Sequence, residues 1–290
     1  MHLAAFLGEI SVEHFFAEIW GKSPAVLKLA GEFPVISIEA FNDLFRRIHL
    51  GLTNQTLRVV KDQKILPFSA ISVERRTKEG ISRQVSPELV SKYMQQGATL
   101  VLRSIRLFEP DIDRLCCGLE QDLRFPISSN LYVTPPNQTG FPLHADDHDV
   151  FVLQLSGTKY WLVAETKDTR DELADAPKDL AATLLESGSM IYIPRGHVHE
   201  ARAGQLASIH LTLGLSIPTF SEIAEQLFGH SVMKEALQRP AFRIDPSRAP
   251  EFLADEAKAI FAALISKLSE ESLISDLTNQ PINTGQAILF

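Results

Sequence analysis

Cysteine is nearly absent from this chain. Only Cys116 and Cys117 occur among 290 residues, and they are adjacent. Adjacent cysteines rarely bridge each other, and a disulfide framework needs spaced pairs, so the sequence excludes a disulfide-stapled secreted scaffold. We expect both thiols to be small buried side chains, as free cysteines often are, in a protein of the reducing cytoplasm.

Long apolar runs and an excess of positive charge are missing as well. No stretch approaches the ~18–20 apolar residues of a membrane span, and the N-terminal segment MHLAAFLGEISVEHFF lacks the basic start of a secretory signal. The formal net charge is −8, which argues against a general affinity for nucleic-acid phosphates. We therefore expect a cytoplasmic protein that contacts neither a membrane nor nucleic acid directly.

Several common catalytic motifs are also lacking. The sequence has no Walker motif, no glycine-rich dinucleotide pattern and no C-x-x-C pair. It has no G-x-S-x-G elbow from which Ser-His-Asp chemistry could start. These absences exclude the simplest nucleotide-binding and serine-hydrolase interpretations.

The sequence does contain many short apolar segments separated by Gly, Pro and Asn turns, which are typical of a β-sandwich or a small barrel. A charged insertion at 167–186 is predicted to be a loop with a short helix. After residue 216 the composition changes, and we place a domain boundary near 217, followed by helix-like segments at 220–238 and 247–275. The predicted strands are 130–134, 141–145, 149–155, 158–164, 189–193, 197–201 and 207–214.

The stretch from Asn130 to Trp161 organises these strands around His144 and Asp146. On a strand, alternate side chains share a face, so His144, Asp146 and also His148 would point the same way. An imidazole beside a carboxylate makes two thirds of a 2-His-1-carboxylate triad, which holds non-haem Fe(II) and leaves positions open. A later apolar strand ends in a Pro-Arg-Gly turn and presents His197 and His199, either of which could supply the third ligand.

Three runs in this order carry a family resemblance: YVTPPNQTGFPLHADDHDVFVLQLSGTKYW, MIYIPRGHVHEA and SIHLTLGL. Over residues 1–215 the chain resembles the JmjC-type cupin oxygenases, which include the ribosomal oxygenases. The resemblance implies a mainly β fold with flanking helices. Its core would be a double-stranded β-helix (jelly roll) in a catalytic domain at 1–216 with an N-terminal α/β elaboration, followed by a helical region at 217–290.

The resemblance also implies site residues. In the family motif the metal ligands correspond to His144, Asp146 and His199 rather than His197. Lys159 stands where the family uses a Lys or Arg to bind the far carboxylate of 2-oxoglutarate, and an inward lysine in an apolar strand needs such a partner. Its alternative is a surface lysine in a hairpin. Asn130 occupies a place that lies in the family's cofactor pocket, where an amide could orient a bound group; its alternative is a turn asparagine.

Further residues are expected on the substrate side. Tyr132 and Arg106 align with family positions that face the substrate, although Tyr132 could be a barrel aromatic and Arg106 a salt-bridge former. His148 could line the substrate mouth or be solvated. A packing or substrate role is expected for His197.

The last strand adds His210 and Thr212 on one face, with Thr212 beside the co-substrate or both residues simply lining the barrel. Where the family often has a small hydroxyl residue, this chain has Gly214, which points to a different substrate from that of the ribosomal enzymes.

Together these features predict a dioxygenase that uses Fe(II), 2-oxoglutarate and O2 to hydroxylate a C–H bond of a protein or peptide side chain. A small molecule or a natural-product peptide is an alternative substrate. A cupin that uses its metal without 2-oxoglutarate and a non-catalytic binding protein are competing functions. The family's helical region mediates dimers, so a homodimer is expected, whereas its winged-helix domain is expected to be absent or vestigial.

Overall fold

The computed structural model describes residues 1–29, 36–78, 80–167 and 177–219. One compact unit comprises Met1–Leu123 and Ile127–Ser216. A second unit comprises Arg124–Pro126 and Ile217–Phe290, of which residues 220–290 lie outside the described part. The predicted helices at 220–238 and 247–275 fall there, so the helical region, its dimer and the boundary near 217 stay predictions.

The described part is mainly β, which confirms the predicted fold class for this region. None of its helices is long and apolar enough to span a bilayer. The helices are α1 (Leu3–Leu7), α2 (Val12–His14, continued by a π-helical turn at Phe15–Ile19), α3 (Ile38–Ile48), α4 (Pro87–Gln95) and α5 (Pro110–Leu123). The strands are β1 (Ala25–Lys28), β2 (Leu57–Lys61), β3 (Lys64–Ile65), β4 (Ser72–Thr77), β5 (Gly80–Val85), β6 (Thr99–Arg103), β7 (Ile127–Thr134), β8 (His144–Ala145), β9 (Asp149–Ser156), β10 (Thr158–Lys167), β11 (Leu180–Glu186), β12 (Ser189–Ile193), β13 (His197–Ala203) and β14 (Ser208–Leu215).

Two antiparallel sheets form the jelly roll. The larger has the order β1-β12-β9-β14-β7-β6-β2-β3, and the smaller has the order β11-β10-β13-β8. The non-sequential neighbours, such as β9 between β12 and β14, are what a double-stranded β-helix requires. A separate hairpin pairs β4 with β5. The two sheets are joined by a hydrophobic core that comprises Val150, Val152, Trp161, Val163, Leu185, Ile191 and Ile193.

Strand β9 is covered on both faces, which explains the continuous apolar run VFVL in its sequence DVFVLQLS. Val150 and Val152 belong to the core between the sheets. Phe151 points the other way and meets Phe6 and Phe15 from the N-terminal helices, with ring centroids 5.0 and 5.8 Å apart. The N-terminal segment therefore covers the outer face of the large sheet.

Serine side chains cap the starts of two helices. Ser37 and Ser86 accept hydrogen bonds from the backbone amides of Ala40 and Leu89, three residues on, at the first turns of α3 and α4. Cys116 is buried on α5 as expected, but Cys117, the next residue of the same helix, is exposed. The prediction that both thiols are buried is therefore wrong for Cys117.

The prediction of a loop and short helix at 167–186 is wrong for its second half. Leu180–Glu186 forms β11, which pairs antiparallel with β10 along its whole length, with Leu185 opposite Lys159. Residues 168–176 lie outside the described part. The run LAATLLE has helix-forming residues, but pairing with β10 and the burial of Leu185 override that local preference.

The hairpin between β9 and β10 depends on Gly157, which has φ +67°. A Cβ atom there would lie 2.2 Å from the carbonyl oxygen of Ala207. We expect Gly157→Ala to lower the free energy of unfolding by roughly 2–4 kcal/mol, from left-handed backbone strain plus the clash. Urea denaturation measures this change. Gly188→Ala is the matched control because Gly188 also has a positive φ but open space around it, so it should cost only about 1 kcal/mol. Equal losses would contradict the role of the close approach.

Candidate metal centre

Two short strands bring the proposed ligands together. β8 pairs with β13 so that His144 lies directly opposite His199. Asp146 follows the end of β8, where its carbonyl oxygen accepts a hydrogen bond from the amide of Gly196 at 2.9 Å. The strand ends before Asp146, so the tie to the Pro-Arg-Gly turn, rather than strand alternation, places this carboxylate beside both imidazoles.

The donor atoms have the spacing of a small coordination site. Asp146 Oδ1 lies 3.8 Å from His144 Nε2, and Asp146 Oδ2 lies 3.7 Å from His199 Nε2. One ligand atom from each residue lies within 4.8 Å of the others. Ligand bonds of about 2 Å place neighbouring donors roughly 3–4 Å apart around one ion, so the three residues fit a divalent metal.

Backbone carbonyls orient both imidazoles. His144 Nδ1 donates to the carbonyl oxygen of Pro142 at 2.7 Å, and His199 Nδ1 donates to that of His197 at 2.9 Å. Each bond fixes the tautomer that leaves the Nε2 lone pair facing the other ligands, as metal-binding histidines require. Burial, and next the neighbouring His144, hold the pKa of His199 below its usual value, which favours the neutral ligand form.

The acidic neighbours of Asp146 are occupied elsewhere. Asp147 is 98% exposed and accepts a hydrogen bond from His148. Asp149 is buried and accepts hydrogen bonds from the Tyr192 hydroxyl and the Arg195 amide. Only Asp146 among these three carboxylates faces the histidine pair.

Lys159 lies in the interior of the barrel, and its exposure of 3% rules out the alternative of a surface lysine. Its ammonium group donates to Thr134 Oγ1 and to His210 Nδ1, both at 3.2 Å. No carboxylate in the described residues forms an ion pair with it, and burial lowers its pKa to about 7. A buried cation that lacks a counter-charge is the feature expected of a site for an anion.

One cavity connects these groups. Its volume is about 260 Å³, and its walls include the three proposed ligands and Lys159. Tyr132, His210 and Thr212 also line it. The Tyr132 and His210 rings are stacked with centroids 4.5 Å apart. Burial and then the positive charge of Lys159 hold the pKa of His210 well below its usual value, so its Nδ1 can accept the lysine proton.

Three other predicted site residues lie around this cavity rather than in its lining. Asn130 Oδ1 accepts a hydrogen bond from the amide of Ser104 at 3.3 Å. His197 is buried and donates from Nδ1 to the carbonyl oxygen of Ala164 at 2.9 Å. His148 is partly exposed, and its Nε2 would lie 2.7 Å from a Cβ at position 214, so its ring uses the space that Gly214 leaves.

Arg106 does not face the cavity, which corrects its assignment to the substrate side. Its guanidinium group forms ion pairs with Asp113 at 2.8 Å and Glu120 at 2.6 Å, and it donates to the carbonyl oxygen of Ile127 at 3.0 Å. These bonds raise its pKa above the usual range despite partial burial. Arg106 therefore joins α5 to the start of β7, which is the salt-bridge role that was its alternative.

Removing the guanidinium group of Arg106 should lower stability and should not affect metal binding. We expect Arg106→Met to lower the free energy of unfolding by roughly 1–3 kcal/mol, because it leaves two carboxylates and a carbonyl without their donor. Urea denaturation tests the loss. Arg114→Met is the control, since Arg114 is a surface residue of α5 whose ion pair in the described residues is with Asp111, one turn away on the same helix. A loss of bound metal per folded molecule in Arg106→Met would contradict this assignment.

Several lining residues could not be identified from the motifs. Arg58 comes from β2 and Thr99 from β6, outside the stretch that carries the ligands, whereas Phe141 and Trp161 lie within it. The Trp161 ring is 6.0 Å from that of His199, and its indole Nε1 is buried without a hydrogen-bond partner among the described residues. The signal for Arg58 and Thr99 lies in the pairing of β2 with β6 and of β6 with β7, which the sequence alone does not reveal.

The fold and the site together define a class: a double-stranded β-helix with two histidines and an aspartate at one end, as in metal-binding cupins. The family model of the JmjC domain matches residues 102–223. This match confirms the resemblance to the JmjC-type oxygenases drawn from the sequence motifs.

The chain is similar to proteins that are named as a ribosomal oxygenase and as a histidyl-hydroxylase. The chain is 28% identical over 223 residues to "Ribosomal oxygenase 1" of Rattus norvegicus, covering 71% of this chain and 35% of that protein. It is 27% identical over 227 residues to "Bifunctional lysine-specific demethylase and histidyl-hydroxylase NO66" of Branchiostoma floridae, covering 75% of this chain and 33% of that protein. The chain thus spans about a third of the length of these relatives.

A solved structure shares the fold. The ribosomal oxygenase YcfD of Escherichia coli, determined in complex with cobalt and 2-oxoglutarate, matches with a TM-score of 0.63. The match covers 94% of this chain and 72% of that one at 19% sequence identity. At this identity the likeness establishes the double-stranded β-helix, and the chemistry has to be argued from this chain's own residues.

Proposed function

We propose that this protein is an Fe(II)- and 2-oxoglutarate-dependent dioxygenase that hydroxylates a C–H bond of a protein or peptide side chain. One observation carries the proposal: a 2-His-1-carboxylate cluster and a buried lysine, which has no carboxylate partner among the described residues, open into the same cavity. Fe(II) in such a site, with 2-oxoglutarate and O2, supplies the oxidising chemistry, and 2-oxoglutarate leaves as succinate and CO2. The names of the relatives agree with this activity.

The chain's own residues would hold and orient these groups. His144, Asp146 and His199 would bind the metal on one face and leave the opposite positions free. Lys159 would bind the far carboxylate of 2-oxoglutarate, with Thr134 and His210 fixing the ammonium group. Asn130, Thr212 and Tyr132 lie on the same face of the large sheet, because they alternate along paired strands.

Apolar walls would keep water from the reacting atoms. Val150, Val152 and Trp161 line the cavity and also belong to the core between the sheets. A dry site strengthens the ion pair between Lys159 and a bound carboxylate and protects reactive species from side reactions. The protein thus supplies orientation and exclusion rather than the oxidising group itself.

A protein side chain is the substrate that the relatives' names favour, since one of them is called a histidyl-hydroxylase.

We further propose that residues 217–290 are a helical region that joins two copies of the chain, and that the protein acts in the cytoplasm. Apolar residues at helical spacing in that region, such as Phe252, Ile260 and Leu264, support the first point. Light scattering of the full chain should then give twice the mass of the monomer. A mass equal to that of the monomer would contradict the proposed dimer.

Succinate formation is the direct test of the activity. The purified chain with Fe(II), 2-oxoglutarate and O2 should form succinate slowly alone and faster when its protein substrate is added. His144→Ala should abolish both rates. A chain that binds the metal and 2-oxoglutarate but forms no succinate would instead be a non-catalytic binding protein. Hydroxylation of a small molecule, with protein digests unmodified, would move the substrate class away from proteins.

A further inference from the structure

The large sheet continues past the jelly roll and carries two arginines onto the cavity face. β2 and β6 add to the edge of β7, with Arg58 opposite Val101 and Val101 opposite Tyr132. Tyr132 in turn lies opposite His210 on β14. Side chains in one cross-strand row point to the same face, so Arg58 shares the face of Tyr132 and His210 and lines the cavity.

The next row along the same strands carries the second arginine. Arg103 on β6 lies opposite Asn130 on β7, which lies opposite Thr212 on β14. These residues are two positions from the previous row, so they face the same way. Arg58 and Arg103 therefore stand together at the β2–β6 side of the cavity face, both partly exposed.

Neither guanidinium group is neutralised in the described part of the chain. No carboxylate there forms an ion pair with Arg58 or Arg103, and Arg103 Nη1 donates only to the backbone carbonyl of Gln55 at 3.2 Å. Burial, and next the like charge of Arg58, lower the pKa of Arg103. Two adjacent cations without a counter-charge repel each other unless an anion lies between them.

These cations are separate from the lysine that would hold 2-oxoglutarate. Lys159 contacts Thr134, whose hydroxyl bonds to Thr99 in the row on the opposite side of Tyr132 from Arg103. Along β7 the order is Thr134, Tyr132, Asn130, so Lys159 stands at one end of the face and the row of Arg103 at the other. A second anion-binding element is therefore available once the first is filled.

We propose that Arg58 and Arg103 bind a side-chain carboxylate of the substrate, so that the protein selects an acidic peptide in which an Asp or Glu lies near the modified residue. This inference rests on the proposed function, because it assigns the substrate of the same cavity. Arginine suits the role since its planar donors match a carboxylate in two-point contact. The net charge of −8 would repel an acidic peptide from the rest of the molecule, so such a preference requires a local basic site.

Peptide binding tests the proposal even before the substrate is identified. The probes are three fluorescein-labelled mixed-sequence decapeptide libraries, identical except for fixed positions that carry Glu, Gln or Lys. The full chain is loaded with Mn(II) and 2-oxoglutarate, a combination that does not turn over. The fluorescence anisotropy of each library is then measured with this loaded protein. We expect the Glu library to bind about fivefold or more tighter than the Gln library, and the Lys library to bind weakest.

Two double variants test which residues cause the preference for the Glu library. Arg58→Gln/Arg103→Gln should reduce the Glu-over-Gln preference to about twofold or less while thermal unfolding stays unchanged, since neither side chain pairs with a carboxylate in the described residues. Arg75→Gln/Arg76→Gln is the matched control, because it removes the same charge from exposed positions on β4 and should keep the preference. Equal binding of the Glu and Gln libraries to the wild type, or an equal loss of preference in both variants, would overturn the proposal.

Two further measurements identify the anion that Arg58 and Arg103 bind. The affinity of Arg58→Gln/Arg103→Gln for 2-oxoglutarate should stay within about twofold of the wild-type value. A tenfold loss would mean that these arginines bind the co-substrate and would overturn the proposal. A uridine decamer that displaces the Glu library through the same arginines would make the partner a nucleic acid and also overturn it. If the wild type formed no succinate, the proposed oxygenase function would be contradicted instead, whatever the result with the peptide libraries.

Discussion

Asp146→Ala should abolish 2-oxoglutarate turnover, with the rate of succinate formation falling by at least on the order of 100-fold. The reason is geometric: Asp146 places one carboxylate oxygen 3.8 Å from His144 Nε2 and the other 3.7 Å from His199 Nε2. Loss of even an outer-sphere partner of a metal ligand costs about 10–100-fold in affinity or activity, and loss of a ligand should cost more. Bound metal, measured by elemental analysis after dialysis, should fall in parallel.

The neighbouring aspartate supplies the control. Asp147 has the same chemistry one residue away, but it is 98% exposed and pairs with His148. We expect Asp147→Ala to retain metal and most of the turnover. Equal losses in the two variants would show that local acidity, and not the convergence of three side chains, is what matters, and the assignment of Asp146 would then be wrong.

Lys159→Met should separate co-substrate binding from metal binding. Methionine has a similar length but no charge, so the variant should still bind metal, whereas its KM for 2-oxoglutarate should rise about 30-fold or more. Truncating one partner of a buried charge pair costs about 2–5 kcal/mol, which corresponds to that range. Initial-rate kinetics over a wide range of 2-oxoglutarate concentrations measure the change. Lys28→Met, at an exposed position of β1, should leave KM unchanged.

The pH dependence of the same residue gives an independent readout. Burial lowers the pKa of Lys159 to about 7, below its value of 10.5 in an unfolded chain. Between these values the unfolded chain binds one more proton, so the free energy of unfolding should rise with pH from about 7 towards 10.5 and this rise should be missing in Lys159→Met. Because 2-oxoglutarate needs the ammonium form, its affinity should fall up to about tenfold per pH unit above 7. An affinity that does not change between pH 7 and 9 would contradict the role of Lys159.

Much of the fold could be predicted because the strands carry their own signals. β9 and β12 are short apolar runs bounded by turn residues, and Ser37 and Ser86 precede helices α3 and α4 as caps. β11 was missed because LAATLLE has no strand alternation, and only its pairing with β10 makes it a strand. Local propensity and tertiary pairing point in opposite directions there.

The same distinction holds for the candidate site. The histidines, Asp146 and Lys159 lie in motifs with recognisable spacing, and the structure brings them together around one cavity. Arg58 could not be assigned, because its position beside Tyr132 depends on the register of β2, β6 and β7 over a sequence separation of 74 residues. Arg106 shows the opposite error: its motif looked functional, but Asp113 and Glu120 on α5 hold it away from the cavity.

The most direct test is a crystal structure of the chain with Mn(II) and 2-oxoglutarate, in which anomalous scattering locates the metal. One peak per chain is expected, at about 2 Å from His144 Nε2, Asp146 and His199 Nε2. The bound 2-oxoglutarate should chelate that ion and place its other carboxylate against the Lys159 ammonium group. A metal elsewhere, or a carboxylate that does not reach Lys159, would contradict the account.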